Sequence, residues 1–248
     1  MKKRKQNYSL IIFDIDGTVT THVSSWQYIH EHLDIWDGKA EQYQNDFRSG
    51  KISYRKFCEL DAAHWAGLEA EKLRGLFAEM TLARNAKKTI ARLRKEGYTL
   101  AAVSTGLQFM GERLEKELGF HCVMTNRLNV RSGKLTGGVR INISHNAKES
   151  AARKIFKRFG VPASQTIAVG DSDGDIPLLE TAGYGIAFNS VSSRLSHIAD
   201  FDCRTRDFTD ILDHILGLET PETTVASLFS AAIWTGQVRG GSCSSARR

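Results

Sequence analysis

Ser9-Leu10-Ile11-Ile12-Phe13 runs straight into Asp14-Ile15-Asp16-Gly17-Thr18. The short apolar run reads as a strand buried on both faces, the kind found in parallel sheets. Ligands of such sheets sit beyond the carboxyl ends of the strands, which is where Asp14 and Asp16 stand. In an extended chain the two carboxylates would share a face. The turn through Gly17 can aim one at a ligand and swing the other aside. Carboxylates this close disfavour ionisation unless a cation neutralises them.

On the C-terminal side, short apolar runs keep alternating with amphipathic segments, which points to βαβ units and a parallel sheet. Residues 85–96 read as a helix stopped by Gly97, and 98–103 as the next strand. Leu107, Met110, Leu114 and Leu118 fall on one helical face ended by Gly119. A strand at 121–124 precedes a two-stranded ribbon, 127–130 and 134–143, turning at Ser132-Gly133. A helix over 147–159 closes at Gly160, with Pro162 just beyond. Strand 166–169, helix 176–181 and strand 185–188 follow. Residues 20–80 differ: they show no clear strand and are rich in Trp, Tyr, His and Ala at helical spacing, so they read as a helical insertion. At the far end, 221–235 is a candidate apolar helix and 240–245 reads as disordered.

The chain has 248 residues, enough for one domain with a large insertion or for two modest domains. Hydrophobic content of 41% and charged content of 25% exclude a wholly disordered or collagen-like chain. Cys58, Cys122, Cys203 and Cys243 form no CxxC pair, so neither a disulfide framework nor a structural zinc site is indicated, and a reducing compartment is favoured. The run before Asp14 is too short for a secretory leader, and no stretch suits a membrane span. The expectation is a soluble cytoplasmic protein with no membrane partner. The formal net charge is +6. Its basic residues are spread out except at Lys2-Lys3-Arg4-Lys5 and Arg247-Arg248, ends that read as solubilising, so nucleic acid is not the expected partner. Nothing in the sequence speaks to oligomeric state.

A second acid-rich stretch, Gly170-Asp171-Ser172-Asp173-Gly174-Asp175, also follows an apolar strand. Three acids on a Gly-rich turn suit a hard cation with oxygen ligands, and Mg²⁺ fits best. The spacing does not continue to the bidentate Glu of an EF-hand loop. Ser104-Thr105-Gly106 follows the strand expected to end at Val103, offering hydroxyls and N–H groups at a helix start. Lys148 opens the helix after the ribbon, a point charge for a phosphoryl oxygen or for a nucleophilic carboxylate. Each piece alone is weak; their order and placement carry the argument.

Acid pair, hydroxyl, lysine and acid cluster in this order resemble the four motifs of the haloacid dehalogenase-like (HAD) phosphohydrolase superfamily, over roughly residues 8–217. The chain is most similar to its phosphoserine phosphatase branch, on Asn126-Arg127-Leu128, Gly133-Lys134-Leu135-Thr136-Gly137, Asn146-Ala147-Lys148 and Gly50-Lys51-Ile52. The resemblance implies an α/β fold: a Rossmann-like core with a parallel sheet and helices on both faces, plus a small helical cap inserted after the first strand. It divides the chain into a core of 8–19 and 81–217, a cap of 20–80, a basic tail of 1–7 and an unassigned extension of 218–248. It implies Asp14 as the nucleophile that forms an aspartyl-phosphate, and Asp16 as the group that protonates the leaving alcohol and then activates water. Ser104, Thr105, Gly106 and Lys148 would hold the phosphoryl oxygens. Asp14, the main-chain carbonyl of Asp16, Asp171 and Asp175 would organise one Mg²⁺. The implied reaction is hydrolysis of a small phosphorylated metabolite, with a phosphoserine-like ester as one choice.

Val23 stands where that branch places the Glu that holds the substrate ammonium, Glu59 where it places the Arg that pairs the carboxylate, and Gly174 where an Asn is common. His22, near the first motif, and Arg55, a helical turn from Glu59, are the expected specificity residues. Trp26, Tyr28, Trp36 and Trp65 read as the cap's own core, with pocket lining as the alternative. Three rivals accompany this reading. One is a phosphotransferase passing the aspartyl-phosphate to an alcohol such as homoserine. Another is a non-enzymatic phosphoacceptor module, against which the chain length and Asp16 argue. The third is a nucleic-acid-binding scaffold.

Overall fold

The computed structural model describes residues 7–33 and 38–218. The basic stretches at Lys2–Lys5 and Arg247-Arg248, Trp36, Cys243 and the expected segments 221–235 and 240–245 lie outside the described residues. Seven strands, β1 (Leu10–Phe13), β2 (Thr99–Leu107), β3 (Cys122–Arg131), β4 (Lys134–Arg140), β5 (Thr166–Gly170), β6 (Tyr184–Phe188) and β7 (Phe201–Cys203), form one sheet in the order β4-β3-β2-β1-β5-β6-β7. Every pairing is parallel except β3 with β4. β1 lies at the centre, between β2 and β5, which is why its residues are apolar without alternation: Ile11 and Phe13 face one hydrophobic layer and Leu10 and Ile12 the other.

Both layers are closed by helices. On one face, Ile90 and Leu93 of α5 (Ala86–Lys95), Met110 of α6 (Gln108–Arg113) and Phe208, Ile211 and Ile215 of α10 (Phe208–Leu218) pack with Ile11 and Phe13. On the other, Ala151, Ala152 and Ile155 of α7 (Lys148–Phe159), Leu178 and Leu179 of α8 (Ile176–Thr181) and Leu195 of α9 (Ser193–Ile198) pack with Leu10 and Ile12. Gly160 ends α7 at φ +65, the left-handed conformation expected of a glycine after a helix. Among the described residues, no helix is long and apolar enough to cross a membrane, and Cys58, Cys122 and Cys203 are buried free thiols.

Several boundaries differ from the sequence expectation. β2 continues past Val103 to Leu107 through a register shift against β3, so Ser104-Thr105-Gly106 lies on an irregular strand end and not at a helix start. The helix expected over Leu107–Leu118 is six residues of α6 followed by a wider turn, Leu114–Leu118, ended by Gly119 at φ +69. The separate strand and ribbon arm are one strand, β3. β4 stops at Arg140 and not Ile143, because the N–H groups of Asn142 and Ile143 turn to the side-chain oxygen of Asn126. α9, β7 and α10 had no counterpart in the sequence reading.

Between Val19 and Ala83 the chain folds as four helices, α1 (Ser25–His32), α2 (Gly38–Arg48), α3 (Tyr54–His64) and α4 (Ala70–Glu79). The segments that lead in and out run side by side: Thr21 N–H donates to Thr81 O, and Ala83 N–H to Val19 O. Trp26, Tyr28 and Trp65 are buried in the helical layer, with Trp26 and Trp65 ring centres 5.4 Å apart, so they are core and not pocket walls. The buried His30–Asp61 pair, 3.3 Å apart, ties α1 to α3. Gly67, Leu68 and Ala70 exchange backbone hydrogen bonds with Gly133 and Leu135, pinning the tip of the β3–β4 ribbon to the helices.

Candidate active site

At the carboxyl ends of β1 and β5, four side chains from three elements meet. Lys148, the first residue of α7, places its Nζ 2.5 Å from Asp14 Oδ1 and 2.5 Å from Asp175 Oδ1, all three side chains being buried. Asp175 Oδ2 accepts from the N–H groups of Asp171 and Ser172 and from the Ser172 hydroxyl, so the acid-rich loop is wound around that carboxylate. The Thr18 hydroxyl donates to Asp171 Oδ1 at 3.0 Å, joining the first acid stretch to the second. Gly17 sits at φ +85, and a Cβ there would fall 2.4 Å from Asp171 Oδ2, so both conformation and contact require glycine. Oxygens of Asp14, Asp171 and Asp175 lie within 4.8 Å of one another.

Asp16 stands apart from this cluster. Its Oδ2 accepts the backbone N–H of Ser25, the first residue of α1, at 2.9 Å; its Oδ1 is buried without a hydrogen bond among the described residues. The helical layer thus orients this carboxyl. Ser104 and Gly106 adjoin it: a Cβ on Gly106 would stand 2.8 Å from Asp16 Oδ2 and 3.1 Å from Ser104 Oγ. Ser104 Oγ already accepts from Gly106 N–H. The Thr105 carbonyl accepts from Trp26 Nε1, the Tyr54 hydroxyl and Asn126 Nδ2, which clamps the end of β2 to α1 and α3.

Burial dominates the electrostatics. Desolvation, then the neighbouring Asp175, raise the Asp14 carboxyl well above the usual range, against the pull of Lys148. The same two causes push Asp171 up to about 7. Asp16 is raised by burial, which outweighs the Ser25 hydrogen bonds. Burial alone would push the Lys148 ammonium down, but Asp14 and Asp175 hold it above its ordinary value. Three carboxylates and one ammonium carry a net charge of −2 when ionised, a surplus that burial makes costly. An all-oxygen donor set with that surplus fits a hard divalent cation.

Of the sequence candidates, Asp14, Lys148, Asp171 and Asp175 come together, with Asp16, Ser104 and Gly106 beside them; Thr105 contributes its carbonyl to the clamp. His22 lies near enough to Asp16 for its charge to act on that carboxyl. The His22 ring lies against Tyr28, at 4.6 Å, and Arg55 is exposed on α3. Val23, at 75% exposure, lines a cavity that includes Gly17 and Asp171 of the cluster, with Arg206 at its wall. A second cavity, of about 510 Å³, is surrounded by residues the sequence reading passed over, Ser24, Gln44, Phe47, Arg48, Phe57 and His145. Burial, helped by the neighbouring charge of Lys148, lowers the His145 imidazole. Ser24 precedes the Ser25 that holds Asp16, and His145 lies three residues before Lys148. The pairing of α2 with the 141–147 loop spans about 100 residues of sequence and leaves no local motif to find it by.

A sequence profile described as haloacid dehalogenase-like hydrolase matches residues 11–180. A curated Methanocaldococcus jannaschii protein named phosphoserine phosphatase is 30% identical over 216 residues, covering 87% of this chain and all of the relative. One from Archaeoglobus fulgidus with the same name is 29% identical over 192 residues, 77% of this chain and 55% of that protein. Among solved structures, a phospho-aspartyl intermediate analogue of phosphoserine phosphatase superposes with a TM-score of 0.72 at 29% identity, over 84% of this chain and 99% of its own. A substrate-bound phosphoserine phosphatase complex gives the same TM-score at 28% identity, over 85% and 99%.

Proposed function

The chain belongs to the haloacid dehalogenase-like hydrolase family, in its phosphoserine phosphatase-like branch, and from that premise we propose that it hydrolyses a small phosphorylated metabolite with Mg²⁺, through a phosphoryl group held transiently on Asp14. The observation that carries this reading is the buried Asp14–Lys148–Asp175 bridge beside a separately held Asp16. Asp14, Asp171, Asp175 and the Asp16 carbonyl would hold the ion, which supplies neutralising positive charge to the phosphoryl oxygens.

Asp14 attacks with Oδ2, the oxygen that Lys148 does not engage: the Oδ2–P bond forms as the bond from phosphorus to the leaving oxygen breaks. Lys148 orients Asp14 and offers charge to a phosphoryl oxygen, and Ser104 would hold another oxygen of the same group. Asp16, its carboxyl raised by burial, gives its proton to the departing alkoxide. It then takes a proton from water as the water oxygen bonds to phosphorus and the Oδ2–P bond breaks, releasing phosphate and restoring Asp14. The Ser25 N–H keeps Asp16 in place through both halves.

The relatives' names support a substrate near phosphoserine in size. The buried free cysteines support a reducing, cytoplasmic setting. The test is phosphate release from phenyl phosphate with Mg²⁺ and with chelator, for the wild type and for Asp14→Asn. Chelator-sensitive turnover absent from the variant is the expected result. Full activity of Asp14→Asn would overturn the mechanism.

A further inference from the structure

The cavity lined by Arg48, Phe47, Phe57 and His145 reaches the catalytic cluster through Tyr54, whose hydroxyl donates to the Thr105 carbonyl between Ser104 and Gly106, and it differs from that cluster in character. Phe47 and Phe57 stack at 5.3 Å with planes 12° apart, and the His145 ring meets Phe47 edge-on at 5.1 Å. Tyr54 closes the group, 5.6 Å from Phe47 and 5.8 Å from His145, while its hydroxyl is committed to the Thr105 carbonyl. Arg48, at the end of α2, stands at this wall and makes no ion pair among the described residues. The remaining lining is Ser24, Gln44 and Gly50, so the described lining holds a guanidinium and no carboxylate.

Continuity with the chemistry fixes which part of a substrate would lie here. Asp16, the proton donor to the leaving oxygen, is anchored by Ser25, the neighbour of Ser24 in the lining. On the phosphatase reading the phosphoryl group lies at Lys148 and Ser104, neither of which lines this cavity. The cavity is then the part of the site left for the leaving alcohol. An ammonium there would give up water without a counter-charge and would face Arg48 at the rim. A carboxylate would find the free guanidinium, and a flat or short apolar body would find the aromatic wall.

From this lining we infer that the preferred substrate is the phosphate ester of an anionic alcohol without an amino group, a phosphorylated hydroxy acid or carboxylated phenol, with Arg48 as its charge-selecting residue. The inference rests on the phosphatase reading above. It narrows that reading away from a zwitterionic amino-acid ester such as phosphoserine.

The test uses the full chain with Mg²⁺ and three esters that differ in one substituent: phenyl phosphate, 4-carboxyphenyl phosphate and 4-(aminomethyl)phenyl phosphate. The carboxyl ester should exceed the aminomethyl ester in kcat/KM by roughly 10- to 100-fold, the range of one charge-assisted contact. Arg48→Ala should collapse that ratio, and Arg48→Lys should restore part of it. A deaminated analogue of phosphoserine, 3-phosphooxypropanoate, should likewise outrun phosphoserine. Turnover of phenyl phosphate with no charge preference, or a preference lost on Arg55→Ala and kept on Arg48→Ala, would overturn the inference and leave the phosphatase reading standing. Turnover of none of the esters would remove both.

Discussion

The ammonium of Lys148 lies 2.5 Å from Asp14 Oδ1, joining residues 134 apart in sequence, and the same nitrogen holds Asp175. One cation therefore fixes the nucleophile and the acid-rich loop at once. Lys148→Met would leave buried carboxylates without their partner, a loss of about 3 kcal/mol in the protein treated with chelator. For a domain of this size that is a drop in Tm of roughly 10 °C. Mg²⁺ should return part of the loss, because the ion supplies charge to the same oxygens, while turnover stays down by at least about 10³-fold. Thermal unfolding with Mg²⁺ and with EDTA checks this; an unchanged Tm in EDTA would mean that the bridge contributes nothing to stability.

Asp16 should matter in proportion to the difficulty of the leaving group. An alkyl alkoxide needs the proton, whereas an aryl oxide with electron-withdrawing groups leaves without it. Asp16→Ala should lower kcat by about 10²- to 10⁴-fold on an alkyl phosphate, and far less on 4-nitrophenyl phosphate in a single-turnover measurement of the first step. Equal losses on the two esters would remove the proton-donor role.

Metal binding should be linked to pH. Asp171 has its carboxyl raised to about 7 by burial and by Asp175, against about 3.9 in an unfolded chain. Between those values the folded, metal-free protein binds more protons than the unfolded one, so its stability falls as pH rises through that window. A divalent ion must displace the same proton, so its affinity should rise with pH up to about 7 and then level off. The gain in Tm from a fixed Mg²⁺ concentration, measured from pH 5.5 to 8, should grow with pH up to about 7 and then level off; a gain independent of pH would contradict the linkage.

The central sheet and the acid stretches were legible because they are local. Leu10–Phe13 is apolar without alternation since it is buried on both faces, and Asp14, Asp16, Asp171 and Asp175 follow apolar runs that announce strand ends. Lys148 was legible for a similar reason, at the start of a well-patterned helix. Arg48 and His145 were not: α2 and the 141–147 loop meet only in the folded chain, and neither carries a motif. His22 and Arg55 stand near motif residues in sequence; in the fold the His22 ring packs on Tyr28 with its charge still felt at Asp16, and Arg55 is exposed on α3. The end of β2 was misplaced because its bulge is imposed from outside, by Trp26, Tyr54 and Asn126 on the Thr105 carbonyl.

Asn126 is the residue through which that outside control runs. It is fully buried, and its amide makes four hydrogen bonds: Nδ2 donates to the Tyr54 hydroxyl and to Thr105 O, and Oδ1 accepts from the N–H groups of Asn142 and Ile143. Thr105 O keeps two other donors if Asn126 is truncated, but the N–H groups of Asn142 and Ile143 lose the acceptor that ends β4. Asn126→Ala should therefore cost at least about 2 kcal/mol, each stranded N–H contributing about 1 or more. The expected fall in Tm is roughly 4–8 °C. The loop released by this change leads directly to His145 and Lys148, so kcat/KM should fall as well, and added Mg²⁺ should recover less of the stability than it does for Lys148→Met. Asn129→Ala, three residues along the same strand and exposed, provides the comparison. If both variants melt together with the wild type, Asn126 does not hold the loop that carries the lysine.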